Sequence, residues 1–192
     1  MYRKSGRLKS RFREPPLDEN SPQWQAWDDP FEQNHHARIV EDAVNRLDAE
    51  KLKEPYRGVG SLAYPPDLML KSVLFEYLRG RTSPAQWHRD AKEHDALKWL
   101  GRGIQPSRSA WYEFRDRMDR VIHDLNDDMV RDAVQEGLAA PGDAKRNRSF
   151  GRFHGRGLDR ARAEVGLLVM AQNLLTIQRL RKRDETPEKQ AA

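Results

Sequence analysis

PPDLMLKSVLFEYLRG, residues 65–80, reads as one helix with both ends marked. Proline fits the first turn, where its missing N–H would have no intrahelical partner. Leu70, Val73, Leu74, Tyr77 and Leu78 then form one apolar stripe, and Gly80 stops the helix. Working downstream, Ser83 with Pro84 at the first helical position and Gln86 at the third spells a capping box. That third helix is expected to run to about Leu100 and to end at Gly101-Arg102-Gly103. A fourth begins near Ser107, after Pro106, and reaches about Leu138; Trp111, Phe114, Met118, Val121, Ile122 and Leu125 mark its buried side, and Pro141-Gly142 breaks it.

Upstream, a first helix is expected from about His35 to Lys53, capped by Asn34. Ile39, Ala43 and Leu47 fall at i, i+4, i+8, with Val40 and Val44 alongside, and the loop Pro55 to Gly60 ends it. The last helix spans about Leu158 to Lys182. Its centre, Val165 to Ala171, is apolar on every side and so expects to be enclosed by protein. No period-2 run of β-branched residues bounded by turns occurs, so the expected fold class is all-α.

Hydrophobic residues make up 37% of the 192 residues and charged ones 34%, which allows only a small core for this length. With no cysteine there are no disulfides or thiolate metal sites, and a reducing compartment is the natural home. The basic start, Met1-Tyr2-Arg3-Lys4, lacks a following apolar stretch, and no run approaches the roughly 18 apolar residues of a membrane span. The expectation is a soluble, cytoplasmic protein with no membrane partner. Pro15, Pro16, Pro22 and Pro30 make residues 1–32 a flexible basic arm, with Trp24 and Trp27 as docking points.

Net charge is +5, but the basic groups are segregated. Residues 1–13, 145–162 and 179–183 together hold seventeen basic side chains against one acidic, Asp159, so the remainder is net acidic. Such patches suit a polyanion, because neutralising phosphates releases condensed counterions. Helices three and four can make a helix-turn-helix, although the Gly101–Pro106 turn is longer than usual. The start of the fourth helix offers Ser107, Arg108, Ser109, Tyr112 and Arg115: serine and arginine bind phosphates, and arginine pairs bidentately with guanine. Arg3, Lys4 and Arg7 are the arm's candidates for phosphate contact. Other chemistry finds little support. Asp90 and His94 are a half-site with no second pair, Asp28-Asp29 and Asp127-Asp128 diverge as surface charge, and no phosphate loop or nucleophile elbow is present. No catalytic residue, metal ligand or cofactor is assigned.

Ala63 to Lys71 followed by Tyr77-Leu78-Arg79-Gly80, Leu97 to Leu100 before a glycine turn, and Pro106-Ser107-Arg108-Ser109 opening a helix with Phe114-Arg115 resemble a known N-terminal domain. It is that of bacterial insertion-sequence transposases of the InsH-like type. Ala37 to Val40 and Ala43-Val44 fit as well, so the resemblance covers about residues 33–139. Independently, Arg152 to Leu158, Arg162-Ala163-Glu164 and Ala171 to Leu174 resemble the C-terminal end of the same transposases. The resemblance implies an RNase-H-like sheet between those ends, whose Asp, Asp and Glu hold two metal ions, Mg²⁺ in an intact member. Here the chain passes instead through Asp143-Ala144-Lys145-Arg146; Asp143 lacks the flanking pattern of a catalytic Asp, and Glu164 matches a non-catalytic position.

The resulting expectation is a truncated transposase of the DDE type with its core deleted in frame. It comprises an arm (1–32), a helix-turn-helix-like DNA-binding domain (33–139), a basic junction loop (140–150), a detached C-terminal helix remnant (151–183) and a tail (184–192), without the RNase-H-like sheet. Expected partners are DNA, the terminal repeats of the element, and a second copy or an intact transposase. Retained DNA binding without catalysis is the leading reading, and an inert remnant the alternative.

Overall fold

The computed structural model describes residues 12–33, 35–56, 62–138 and 157–184. Among these, helices are α1 (Pro22–Asp28), α2 (His36–Asn45), α3 (Ala49–Lys53), α4 (Pro66–Leu78), α5 (Pro84–Glu93), α6 (Asp95–Leu100), α7 (Arg108–Met118), α8 (Ile122–Gln135) and α9 (Leu158–Asp184). Among the described residues there is no sheet; one isolated bridge joins Phe12 to Ala63. The all-α class therefore holds. No described helix is long and apolar enough to cross a membrane.

α4 is the hub. From Leu68 to Tyr77 every residue is buried, so the single stripe read from the sequence is only part of its contact surface. Helices α2, α6 and α9 pack around it, with α3, α5 and α7 touching its ends. Three of its buried polar side chains find partners, as burial favours, whereas Tyr77 Oη has no hydrogen-bond partner. Lys71 Nζ pairs with Glu41 at 2.9 Å, Ser72 Oγ donates to the Leu68 carbonyl at 3.0 Å, and Arg79 pairs with Glu76.

Three expected long helices are each broken once. The first breaks at Arg46–Asp48, where Asp48 Oδ1 accepts from Glu50 N at 2.8 Å and Lys51 N at 3.3 Å. The third breaks at His94, whose ψ of 120° leaves the helix while its Nδ1 accepts from Ala96 N at 3.3 Å. The fourth breaks at Asp119–Val121. Apolar periodicity runs through these points because both halves bury the same side, whereas short polar side chains at Asp48 and His94 cap a new helix start instead. Asn34, the expected first cap, lies outside the described residues; His35 Nδ1 caps α2 by accepting from Ala37 N at 3.2 Å.

Two expectations about the chain's ends need correction. From residue 12 onward the arm is docked. Trp24 stacks on Trp99 with centroids 5.4 Å apart and donates Nε1–H to the Trp99 carbonyl at 3.1 Å. Leu17 N reaches the Arg102 carbonyl at 3.1 Å and Arg13 N the Ala63 carbonyl at 2.8 Å. Trp24 docks as its place in the arm suggested, and its ring surface and the backbone bonds outweigh the flexibility read from the prolines.

α9 is also not detached. Ala163, Leu167, Met170, Ala171, Leu174 and Ile177 are buried at helical spacing, and α9 packs on α4, α7, α8 and α2. Asn173 donates to Asn126 Oδ1 at 2.9 Å, and Gly166 lets α9 approach Ile122 closely. The apolar centre that seemed to have lost its partner forms one wall of the core. The junction around 140–150, including Asp143, lies outside the described residues, as does the tail from residue 185.

Candidate nucleic-acid interface

The unit that presents α7 is built from α5, α6 and the turn between α6 and α7. The capping box of Ser83 and Gln86 starts α5, with Ser83 N donating to Gln86 Oε1 at 3.3 Å. Trp87 on α5 then meets Trp111 on α7 edge to face, centroids 6.2 Å apart, and both rings are buried. His88 Nδ1 lies 3.1 Å from the Pro106 carbonyl and ties the turn to α5. Within the turn Arg102 and Gly103 both have positive φ, 49° and 77°. A Cβ on Gly103 would meet Pro16 Cγ at 3.1 Å, so glycine suits both the backbone and the docked arm.

Ser107 opens α7 by accepting from Ala110 N at 3.3 Å, and its Oγ lies 3.0 Å from Ser109 Oγ. Ser107, Arg108 and Ser109 are all exposed. The Tyr112 ring is half-buried beside Arg108, whose Cζ is 5.9 Å from the ring centroid. The helix thus displays two hydroxyls, a guanidinium and a phenol at its N-terminal end, where first-turn N–H groups also lack intrahelical partners.

Arg115 stands apart from this set. It is 2% exposed, pairs with Asp116 at 2.9 Å and faces Glu164 of α9 at 3.5 Å. Its guanidinium lies 5.3 Å from the Tyr112 centroid, so it supports that ring from inside. The reason is helical phase. Arg115 follows Trp111 by four residues and shares the face of Trp111, Phe114 and Met118, which is buried. It therefore leaves the set of candidate DNA contacts. Glu164, matched in sequence without a role, is the acidic group on the facing helix. Arg3, Lys4 and Arg7 lie outside the described residues. Sequence reading placed Arg13 only within the basic patch of residues 1–13 and missed Arg117; the fold brings both beside Ser107 and Ser109, and their separation along the chain left no local signal of that pairing.

Behind this unit is a charge cluster. Burial pushes the Glu76 carboxyl up to about 7, opposed by Arg79 and reinforced by Asp90. Burial also pushes Asp90 upward, but hydrogen bonding with Arg89 and Glu76 and the arginine charges outweigh it, so Asp90 lies below the usual carboxylate range. Asp90 also lies 3.8 Å from Arg79 and 3.9 Å from Arg81, so its carboxylate collects several guanidinium groups. Asp90 and His94, the half-site noted above, gain no further ligand. Among the described residues no group of three or more His, Cys, Asp or Glu is placed to hold a metal ion.

Neither a curated protein nor a solved structure matches the chain. Residues 25–117, from within α1 almost to the end of α7, are similar to the family whose model is described as Transposase domain (DUF772).

Proposed function

We propose that this chain binds duplex DNA through the N-terminal end of α7. Arg108, Ser109 and Tyr112 meet base edges or the backbone, Ser107 meets a phosphate, and Arg3, Lys4 and Arg7 track neighbouring phosphates. The observation that carries the reading is the exposed Ser107-Arg108-Ser109 start of a helix held rigidly by the Trp87–Trp111 contact, within the segment similar to transposase domains. The element's terminal repeats are the proposed target.

The same reading makes the chain an InsH-like, DDE-type transposase whose catalytic core has been deleted. It would bind transposon ends without cutting them, alone or beside an intact transposase. A gel-shift titration at physiological salt tests the binding, comparing terminal-repeat duplex with random duplex. Tighter binding to the repeats is expected, and equal affinity refutes the sequence-specific reading and favours an inert remnant. Arg108→Ala should cost about 1–3 kcal/mol on the repeats if the arginine reads a base. Strand cleavage in the presence of Mg²⁺ would refute the catalytically incomplete reading.

A further inference from the structure

We propose that the cavity beside the start of α7 seats one backbone phosphate of duplex DNA, gripped by Arg13 and Arg117. The inference rests on the DNA-binding reading above and adds the anion's seat to it. The cavity, about 280 Å³, joins three distant parts of the chain: Arg13 of the docked arm, Tyr56 and Tyr64 flanking the loop before α4, and Ser107, Ser109 and Arg117 of α7.

Arg13 is pre-positioned there. Its Nε donates to the Leu62 carbonyl at 3.3 Å and its Nη1 to Tyr64 Oη at 3.2 Å, while its Cζ lies 4.6 Å from the Tyr64 ring centroid. Tyr64 is fixed in turn by donating to the Gln105 carbonyl at 3.1 Å. A guanidinium carries five N–H donors, so the bonds that orient Arg13 leave donors for an anion. Arg117 lies over the Tyr56 ring at 4.8 Å.

Tyr56 supplies a second, independent sign of a ligand. It lines the cavity and is 4% exposed; its buried hydroxyl can only accept from Arg117 of the same cavity, so its own O–H has no acceptor. Burial pushes the phenol up to about 12, with Arg117 opposing, so it keeps its proton and can donate to an oxygen. The first-turn N–H groups of α7 add the positive end of a helix dipole.

One carboxylate works against the anion. Glu113 lines the same cavity and pairs with Arg117 at 3.2 Å. Its side chain is 60% exposed, and a solvated pair of this kind holds its arginine weakly. Glu113 thus tempers the site without closing it, and its removal should improve binding.

The test is fluorescence anisotropy on a labelled random duplex between 50 and 200 mM salt, with thermal melts of every variant. Arg13→Gln and Arg117→Gln should each lower the slope of log K against log salt measurably, and the double variant by about 0.9 in total, the value of one lost phosphate contact. Glu113→Gln should tighten binding, a gain that misfolding cannot produce. The same charge change at Asp132, in the separate cavity between α2, α8 and α9, should do less. Wild-type protein that binds no duplex overturns both the DNA-binding reading and the seat. Wild-type binding with unchanged slopes in Arg13→Gln and Arg117→Gln overturns the seat alone, as does an Asp132→Asn gain equal to that of Glu113→Gln.

Discussion

Replacing Gly166 by alanine decides whether α9 belongs to the core, because the two alternatives predict opposite signs. A Cβ at residue 166 would lie 2.3 Å from Ile122 Cγ2 and 3.1 Å from Cγ1. Carbon contacts settle near 3.5–4.0 Å, so α9 or Ile122 must move by more than about 1 Å. Ile122 is 0% exposed, so its side chain is enclosed by protein. Overpacking of this kind costs about 1–3 kcal/mol or more. Against it stands the gain of about 1 kcal/mol from replacing glycine by alanine inside a helix. The gap is severe, so the upper part of the range applies and a net loss of about 1–2 kcal/mol is expected. For a chain of this size each kcal/mol moves Tm by about 2–4 °C, so Gly166→Ala should melt about 2–8 °C lower. A free α9 would show only the helix gain and melt higher. Denaturant unfolding with an unchanged m-value should agree, and Ile122→Ala, which removes both clashing γ carbons, should cost less in the Gly166→Ala background than in wild type. A neutral or stabilised Gly166→Ala refutes the packing argument.

Three further outcomes follow from the same structure. Arg115→Ala should lose about 3–5 kcal/mol of stability, since it removes one member of the buried Arg115–Glu164 pair; adding Glu164→Gln should recover part of it, while Arg108→Ala leaves the melting curve nearly unchanged. Glu76 is raised from 4.5 to about 7 in the fold, so the folded state holds more protons between those values. Stability from this group is therefore greatest at low pH and is lost as pH rises from about 4.5 to about 7. Glu76→Gln should then help more, or harm less, at pH 8 than at pH 5, and equal effects at both would contradict the assignment. Trp24→Ala removes the stack on Trp99, so limited proteolysis should cut ahead of α2 much faster than in wild type, with α4 still protected.

The helices around α4 were legible because local chemistry marks them. Proline at Pro66, the Ser83–Gln86 capping box, Ser107 ahead of α7 and the glycines after α4 and α6 act on the backbone within one turn. The kinks at Asp48, His94 and Asp119–Val121 were not legible, because apolar spacing continues across a bend that keeps the same side inward. At the candidate interface, exposed Ser107, Arg108 and Ser109 could be read from their position at a capped helix start. Arg115 shares the face of Trp111, Phe114 and Met118 that the sequence marks as buried, so its phase was legible; its partner Glu164 on distant α9 was not.

By itself the sequence determined the helical class, both ends of α4, the starts of α5, α7 and α9, the basic segregation and the similarity to transposases, all of which depend on neighbours a few residues apart. Only the tertiary structure decided that Trp24 of the arm docks on Trp99, that α9 closes the core against Ile122, and that Arg13 and Arg117 share a cavity with Tyr56. Those outcomes rest on contacts between residues far apart in the chain. Such contacts form only where packed surfaces and charges fit in three dimensions, and periodicity along one helix carries no record of its partner.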